Sequence, residues 1–259
     1  MKKLSLLILC IICLSFSYKK NKQFIPPGTV QISDTLYADE TEISNFSWSE
    51  YEFFIKIKYG ANSKEHIATL PDTTVWREKS TYNEPYVKYY YRHPAYKNYP
   101  VVGISYEQAQ AFCKWRTERV KSFLSIKKDF QHQNFEYRLP TKAEWEFLSS
   151  STINQYGENG MDEKGRPNFN FIVAGIDTIE TSKYMKDNAD VTAPVKSYKK
   201  NILRLYNTIG NVAEMLNEKG ISKGGSWRNT FEECRAGKEL PYTKPTAWLG
   251  FRCICVFSS

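Results

Sequence analysis

The spacing of apolar residues along the chain predicts two amphipathic helices, each with a clear start. Ser105 and Gln108 match a capping box, in which the serine oxygen accepts a bond from a free helix amide and the glutamine reaches back. Apolar residues then recur at helical spacing at Tyr106, Ala109, Phe112, Cys113 and Val120. Because positions three and four apart share one helix face, this pattern predicts a helix that buries Cys113.

A second capping box, Thr141 to Glu144, follows Pro140 and precedes Trp145 and Leu148. It predicts another helix that starts at this box.

Nearer the start of the chain, a strand and a helix are predicted in succession. Val30, Ile32 and Leu36 follow an approximate alternation, which predicts a strand that begins near Gly28. The run EISN then indicates a strand end that passes into a helix cap. Apolar residues on one face of the following helix are Trp48, Tyr51, Phe54 and Ile55.

Two long stretches show no regular period. Residues 60–100 are rich in tyrosine, and we assign them no regular structure. Their rings either fill the core and line loops, which we favour, or bind a sugar or a peptide. Residues 150–193 are polar, and a segment this long needs something to hold it, such as an ion.

Composition indicates a globular protein: 41% of the residues are hydrophobic and 15% are aromatic. The formal net charge is +8, but the basic residues are mixed with acidic ones along the chain. A scattered excess of this kind is typical of a solvated surface, so we expect no nucleic-acid partner.

The first residues predict export. Lys2 and Lys3 precede the apolar run 4–16, and Ser15-Phe16-Ser17 fits a small-x-small cleavage pattern. We therefore predict a signal peptide over residues 1–17 and a secreted or periplasmic location. Leu9 and Ile12 stand where a lipobox requires a small residue, which argues against a lipoprotein. Membrane contact is expected only if this segment stays uncleaved.

The mature chain would keep four cysteines: Cys113, Cys234, Cys253 and Cys255. In an exported protein this number favours at least one disulfide.

Several segments, in order, resemble one family. The family is that of the formylglycine-generating (sulfatase-modifying factor) domain, and the matching segments are YEQAQAFCKWR, YRLPTKAEWEFL, LYNTIGNVAEM and GGSW with LGFRC. In addition, EISN is similar to the EVTN signature that opens this domain. The resemblance covers residues 38–257. It implies an α+β, irregular, loop-rich fold of the C-type-lectin type: a single domain over 38–259, after a linker and first strand over 18–37.

The resemblance also implies a chemistry. Active members oxidise a cysteine of a sulfatase to formylglycine, with O₂ and a copper(I) ion held by two cysteines, since soft thiolates select that ion. Counted from Ser226 of GGS, the family's first cysteine position is Asn229 here and its second is Cys234. An amide is a poor ligand for copper(I), so we expect no copper. Cys234 and Ser226 remain catalytic candidates only if activity survives.

Calcium and a disulfide are implied in the same way. One calcium site would use the side chains of Asn207 and Glu214 and the carbonyls of Gly210 and Val212, although a Gly-Asn turn explains this run nearly as well. A second would use Asn168, the carbonyl of Phe169, Asp187 and the carbonyl of Ala189, with Asn170 competing for the first place. The family's structural disulfide corresponds to Cys113 and Cys253; the alternative is a buried thiol. Cys234–Cys255 is a conceivable second bridge.

Other chemistries fit less well. His66, His93 and His132 lack the spacing of the iron-dependent relatives of this family. We expect Arg252 to form a buried ion pair with Glu144 or Glu146.

The leading hypothesis is an exported, calcium-stabilised, non-catalytic member of the family that binds another exported protein or a glycan. The alternatives are a divergent oxidase that acts on a sulfatase cysteine, and a lectin-like sugar binder built on the tyrosine-rich loop.

Overall fold

The computed structural model describes residues 24–77, 82–127, 134–156, 160–172 and 191–258. The predicted signal peptide and two of the calcium candidates, Asp187 and Ala189, lie outside these residues. Within them, no helix has both the length and the apolar character needed to cross a membrane.

The first sheet brings the two ends of the described chain together. Its strands are β1 (Thr29–Gln31), β2 (Leu36–Asp39), β3 (Phe135–Arg138) and a strand close to the C-terminus (Ile254–Phe257) that we label β8. The order is β1-β2-β8-β3, and every pair is antiparallel. The C-terminal strand therefore lies at the centre of this sheet.

The strand predicted to begin near Gly28 is present as β1, but it does not continue through Leu36, because residues 29–39 form a hairpin of β1 and β2. The amides of Ile32 and Ser33 both donate to the carbonyl of Leu36, at 2.8 and 3.0 Å. The Ser33 hydroxyl in turn accepts from the Leu36 amide at 3.2 Å. Serine and aspartate favour such turns by bonding to nearby backbone, and that local chemistry interrupts the alternation.

The second sheet carries the loops around Cys234. Its strands are β4 (Ala213–Met215), β5 (Ile221–Lys223), β6 (Leu240–Pro241) and β7 (Leu249–Gly250). The order is β6-β5-β4-β7, with β4 and β7 parallel and the other pairs antiparallel.

The described helices are α1 (Asn45–Tyr59), α2 (Lys64–Ile67), α3 (Glu84–Tyr89), α4 (Tyr106–Ser125), α5 (Lys142–Tyr156) and α6 (Phe231–Cys234), with 3-10 turns at Thr73–Trp76 and Pro94–Tyr96. Both predicted capping boxes are confirmed. Gln108 donates its amide to Ser105 Oγ at 3.2 Å and accepts from the Ser105 amide at 2.7 Å. The corresponding distances in the Thr141–Glu144 box are 3.3 and 2.8 Å.

Aromatic rings hold α1 and α4 together in the main core. Trp48 stacks on Phe112, with ring centroids 5.5 Å apart, and Phe251 meets both rings edge-on. Tyr51 contacts Phe112 at 5.6 Å. The predicted inner faces of the two helices are thus confirmed, and each ring buries a large apolar area.

The tyrosine-rich stretch contains short helices where we assigned no regular structure. Tyr90 is buried, packs against Trp76 at 4.6 Å, and donates its hydroxyl to the Pro100 carbonyl at 2.7 Å. Packing between rings, the explanation we favoured, accounts for Tyr90, whereas Tyr82 and Tyr89 of the same stretch are exposed.

The partner expected for Arg252 is wrong. Arg252 Nη2 lies 2.6 Å from Glu214 Oε1, and both side chains are fully buried. Glu144 instead pairs with Arg138, and Glu146 pairs with Lys223. Arg252 lies two residues after the end of β7, which runs beside the strand of Glu214, and this parallel pairing could not be read from residue order.

We predict that Arg252→Met destabilises the protein by about 3–5 kcal/mol, because it leaves the Glu214 carboxylate buried and unpaired. The matched control is Arg77→Met. Arg77 also pairs with a glutamate, Glu84, but both side chains are about half exposed, so its loss should change the free energy of unfolding far less. Chemical denaturation measures both variants, and equal losses would contradict the special role of the buried pair.

Candidate functional site

Two glycines allow the loop after β5 to pass directly over Cys234. Gly224 and Gly225 have φ of 91° and 65°, in the region that residues with a side chain rarely adopt. A Cβ on Gly225 would lie 2.3 Å from the Cys234 sulfur. The close backbone path expected from the sequence is therefore present, and Gly225 closes one side of the cysteine.

Cys234 ends α6 and is fully buried in an apolar cluster. Its buried neighbours in that cluster are Phe169, Phe171 and Ile209, with Met161 and Phe231 partly buried around them. Burial raises the pKa of the Cys234 thiol to about 12, while the amides of Ser226 and Gly210 act weakly in the opposite direction. Because the thiolate is the metal ligand and the nucleophile, Cys234 is a poor candidate for either role in this arrangement.

Ser226 and Asn229 are bonded to each other across a tight turn. The Ser226 hydroxyl donates to Asn229 Oδ1 at 2.7 Å, and the Asn229 amide donates to the Ser226 carbonyl at 3.0 Å. The Asn229 carbonyl accepts from the Ile172 amide at 2.8 Å. Asn229, at the position where the resemblance predicts the family's first cysteine, thus stabilises the loop.

The other three described cysteines lie away from Cys234. Cys113, Cys253 and Cys255 are all buried in the main core, and the described part of that core does not include Cys234. The structure therefore does not bring Cys234 and Cys255 together as a bridge. Cys113 Sγ and Cys253 Sγ are 3.3 Å apart as thiols. The disulfide between them stays a prediction.

The run from Asn207 to Asn211 forms a left-handed turn that encloses a buried carboxyl group. Asn207, Gly210 and Asn211 have φ of 46°, 74° and 63°. Asn211 Nδ2 donates to Glu42 Oε1 at 2.8 Å, and Asn207 Nδ2 donates to Glu42 Oε2 at 3.2 Å. Asparagine tolerates positive φ better than most residues do. Both asparagines can therefore occupy this turn while their side-chain amides bond to Glu42.

The first set of calcium candidates divides into two parts. Asn207 Oδ1 is buried and has no hydrogen-bond partner among the described residues, as suits an oxygen that could bind a cation. Both carboxylate oxygens of Glu214 accept from Arg252, and one also accepts from Trp145 Nε1 at 2.8 Å. Asn207 therefore fits the ion better than Glu214 does.

The second set is only partly described. Asn168 is buried beside Phe169, whose ring belongs to the Cys234 cluster. Asn170 Nδ2 donates to the Val191 carbonyl at 2.7 Å.

Sequence reasoning missed Glu42 as part of this site, because EISN indicated only a strand end. Burial raises the pKa of Glu42 to about 8, although the positive charge of Arg252 acts against this shift. The available signal was the pair of asparagines on either side of a glycine in an otherwise apolar run. Such amides need a buried partner.

The chain is similar in sequence to a family model and to named enzymes of that family. A family model described as "Sulfatase-modifying factor enzyme 1-like domain" matches residues 13–256. The formylglycine-generating enzyme of Streptomyces coelicolor is 32% identical over 45% of this chain and 31% of that protein. The mouse enzyme of the same name is 26% identical over 60% of this chain and 44% of that protein. The chain thus spans less than half the length of these relatives.

Among solved structures, the crystal structure of CarF matches with a TM-score of 0.50 at 15% identity, over 86% of this chain and 87% of that one. At this identity the similarity concerns the fold alone. Together with the family match, it confirms the predicted α+β domain and the resemblance stated above.

We predict that Glu42 makes the protein less stable as the pH rises from about 4.5 to about 8. The unfolded carboxyl has lost its proton over this range, whereas the folded one still holds it. Unfolding therefore releases a proton, and the free energy of unfolding falls until it levels off above about 8. The variant Glu42→Gln has no carboxyl group to titrate and lacks this pH-dependent loss. The difference in free energy of unfolding between the variant and the wild type should therefore shift in favour of the variant as the pH rises from 5 to 8.

Glu40→Gln is the matched control. Hydrogen bonds from Lys196 and Lys200 lower the pKa of Glu40, so its contribution is lost only in acid, below the range of the experiment. Urea denaturation at several pH values, with EDTA present, measures both variants. A constant difference between Glu42→Gln and wild type from pH 5 to 8 would contradict the prediction.

Proposed function

The chain belongs to the sulfatase-modifying factor enzyme 1-like domain family, and from this premise we propose that it is a non-catalytic member that acts by binding. Its partner is another exported protein or a glycan. Export is supported by the signal-peptide pattern of residues 1–17.

The observation that carries this proposal is the isolation of Cys234. A copper(I) site of the family type needs two thiolates that can reach one ion. Here the first of the two cysteine positions is occupied by Asn229, whose side chain is already hydrogen-bonded to Ser226. The Cys234 thiol is enclosed by Gly225 and aromatic rings, and its pKa is raised to about 12. The residues present therefore do not fit copper.

The runner-up is a divergent oxidase that acts on a sulfatase cysteine. Its support is that matched relatives carry the name formylglycine-generating enzyme, and that the motif resemblance assigns Ser226 and Cys234 to the family's active positions. It would require the loop over Cys234 to open and a second metal ligand to replace Asn229.

Anaerobic titration with copper(I) against a competing chelator separates these two functions. We expect no stoichiometric copper site in the wild-type protein, and no conversion of a CxPxR peptide to formylglycine in the presence of O₂ and copper. The variant Asn229→Cys supplies the missing sulfur, and its affinity for copper(I), compared with that of the wild type, shows how much one added thiol contributes. Tight binding by the wild type that is lost in Cys234→Ser, together with turnover of the peptide, would reinstate the oxidase.

We also propose that calcium stabilises the domain at the turn 207–212. Asn207 Oδ1 would bind the ion, together with the carbonyls of Gly210 and Val212. The support is the unpartnered, buried oxygen of Asn207, held in a tight turn. Glu214 could join only by sharing oxygens that already accept from Arg252.

Thermal unfolding with and without EDTA tests the calcium proposal. An ion that binds only the folded state adds about 2.7 kcal/mol when its free concentration is about a hundred times the Kd. We therefore expect chelation to lower the Tm of the wild type, and Asn207→Ala to remove the response to EDTA. An unchanged wild-type Tm would contradict calcium binding.

A further inference from the structure

The helix α1 is apolar on two opposite faces. Trp48 and Tyr51 pack its inner face into the main core. Phe46, Phe53 and Ile57 lie on its outer face and are 52%, 64% and 70% exposed. A surface helix normally has a polar outer face, whereas a helix that is apolar all round is normally buried. The outer face of α1 therefore indicates a docking surface.

We call this surface the outer stripe. Its positions recur at spacings of three and four residues, which places them on one side of the helix. They are Phe46, Ser49, Glu50, Phe53, Lys56, Ile57 and Gly60.

The outer stripe is complementary in shape to a second copy of itself that runs in the opposite direction. In a two-fold contact centred on Phe53, each residue faces the one that lies equally far on the other side of the centre. Phe46 then faces Gly60, and Ile57 faces Ser49. A Cβ on Gly60 would meet no atom within 4 Å, and the Ser49 hydroxyl is already bonded to the Phe46 carbonyl at 2.7 Å. Each large apolar side chain thus meets a small residue that leaves room for it.

The charges of the outer stripe match the same antiparallel arrangement. Glu50 and Lys56 lie three residues to either side of Phe53, which is about 4.5 Å along the helix axis. Both are exposed, and neither forms an ion pair within the described part of the chain. An antiparallel pair sets each glutamate level with the lysine of the other copy, whereas a parallel pair would set like charges level. A membrane surface would favour a basic excess instead.

We propose that the outer stripe is the contact between two copies of this chain, which pack antiparallel about a two-fold axis at Phe53. One helix pair buries less than the roughly 1,200–2,000 Å² of a standard interface, so the dimer forms only at high protein concentration. The described members of the Cys234 cluster do not belong to α1. The inference therefore does not rest on the non-catalytic function.

Sedimentation velocity of the full-length protein, from about 1 µM to about 200 µM, measures this association. We expect a reversible equilibrium between monomer and dimer. Phe53→Glu sets two negative charges against each other at the centre and should weaken association at least about tenfold. Because Phe53 is 64% exposed, this change should leave the inner face of α1 intact. Phe147→Glu is the matched control, since Phe147 is 55% exposed on α5 and lies outside the outer stripe.

An exchange of charges tests the orientation of the two helices. Glu50→Lys alone and Lys56→Glu alone each set like charges level, and each should weaken association by about fivefold, since the two-fold axis doubles the loss of an exposed pair. The double variant Glu50→Lys/Lys56→Glu re-forms both pairs with reversed signs and should regain the wild-type affinity. Any of four results would overturn the proposal: a monomer over the whole range, association in Phe53→Glu as strong as in the wild type, an equal loss in Phe147→Glu, or a double variant as weak as the single ones.

Discussion

The guanidinium of Arg252 connects the two sheets and the loop that carries the candidate site. It binds the Glu214 carboxylate in β4, and it also donates to the carbonyls of Asp39 in β2 and Tyr206 at 3.1 and 2.7 Å. Trp145 of α5 donates to the same carboxylate. Taking two charges out of water is costly, and several bonds in good geometry offset that cost. The positions of β2, β4, α5 and the 206–211 loop are therefore set together.

The position of the 206–211 loop also determines the backbone that surrounds Cys234. The loop that follows Tyr206 places Gly210, whose amide donates to the Gly224 carbonyl at 2.8 Å. Gly225 then lies against the cysteine sulfur, and aromatic rings cover the rest. A site that must bind metal and O₂ has to keep an open coordination position, whereas this one is filled by backbone and apolar side chains. Among the described residues the sulfur is closed off on these sides, so an oxidase would have to open this arrangement.

Features governed by local chemistry were predictable from the sequence. The capping boxes at Ser105 and Thr141 start their helices as expected, and the glycine pair gives the close approach of the loop. Features that depend on distant pairing were not. Arg252 finds Glu214 because β4 and β7 run side by side, and the β1–β2 turn depends on hydrogen bonds that an apolar pattern does not record.

In the candidate site, too, some features could be predicted from the sequence and others could not. The sequence alone showed Asn229 in place of a second thiol. The hydrogen bond from Ser226 to Asn229 and the enclosure of Cys234 became visible only in the structure.

The accessibility of the Cys234 sulfur tests the central claim most directly. The folded protein is treated with iodoacetamide at pH 8, and the modified Cys234 peptide is quantified by mass spectrometry against a sample unfolded in guanidinium. A sealed thiol whose pKa is raised to about 12 should stay unmodified in the folded protein over a time that labels the unfolded chain completely. Rapid alkylation of Cys234 in the folded state would contradict the account and show an open, reactive cysteine.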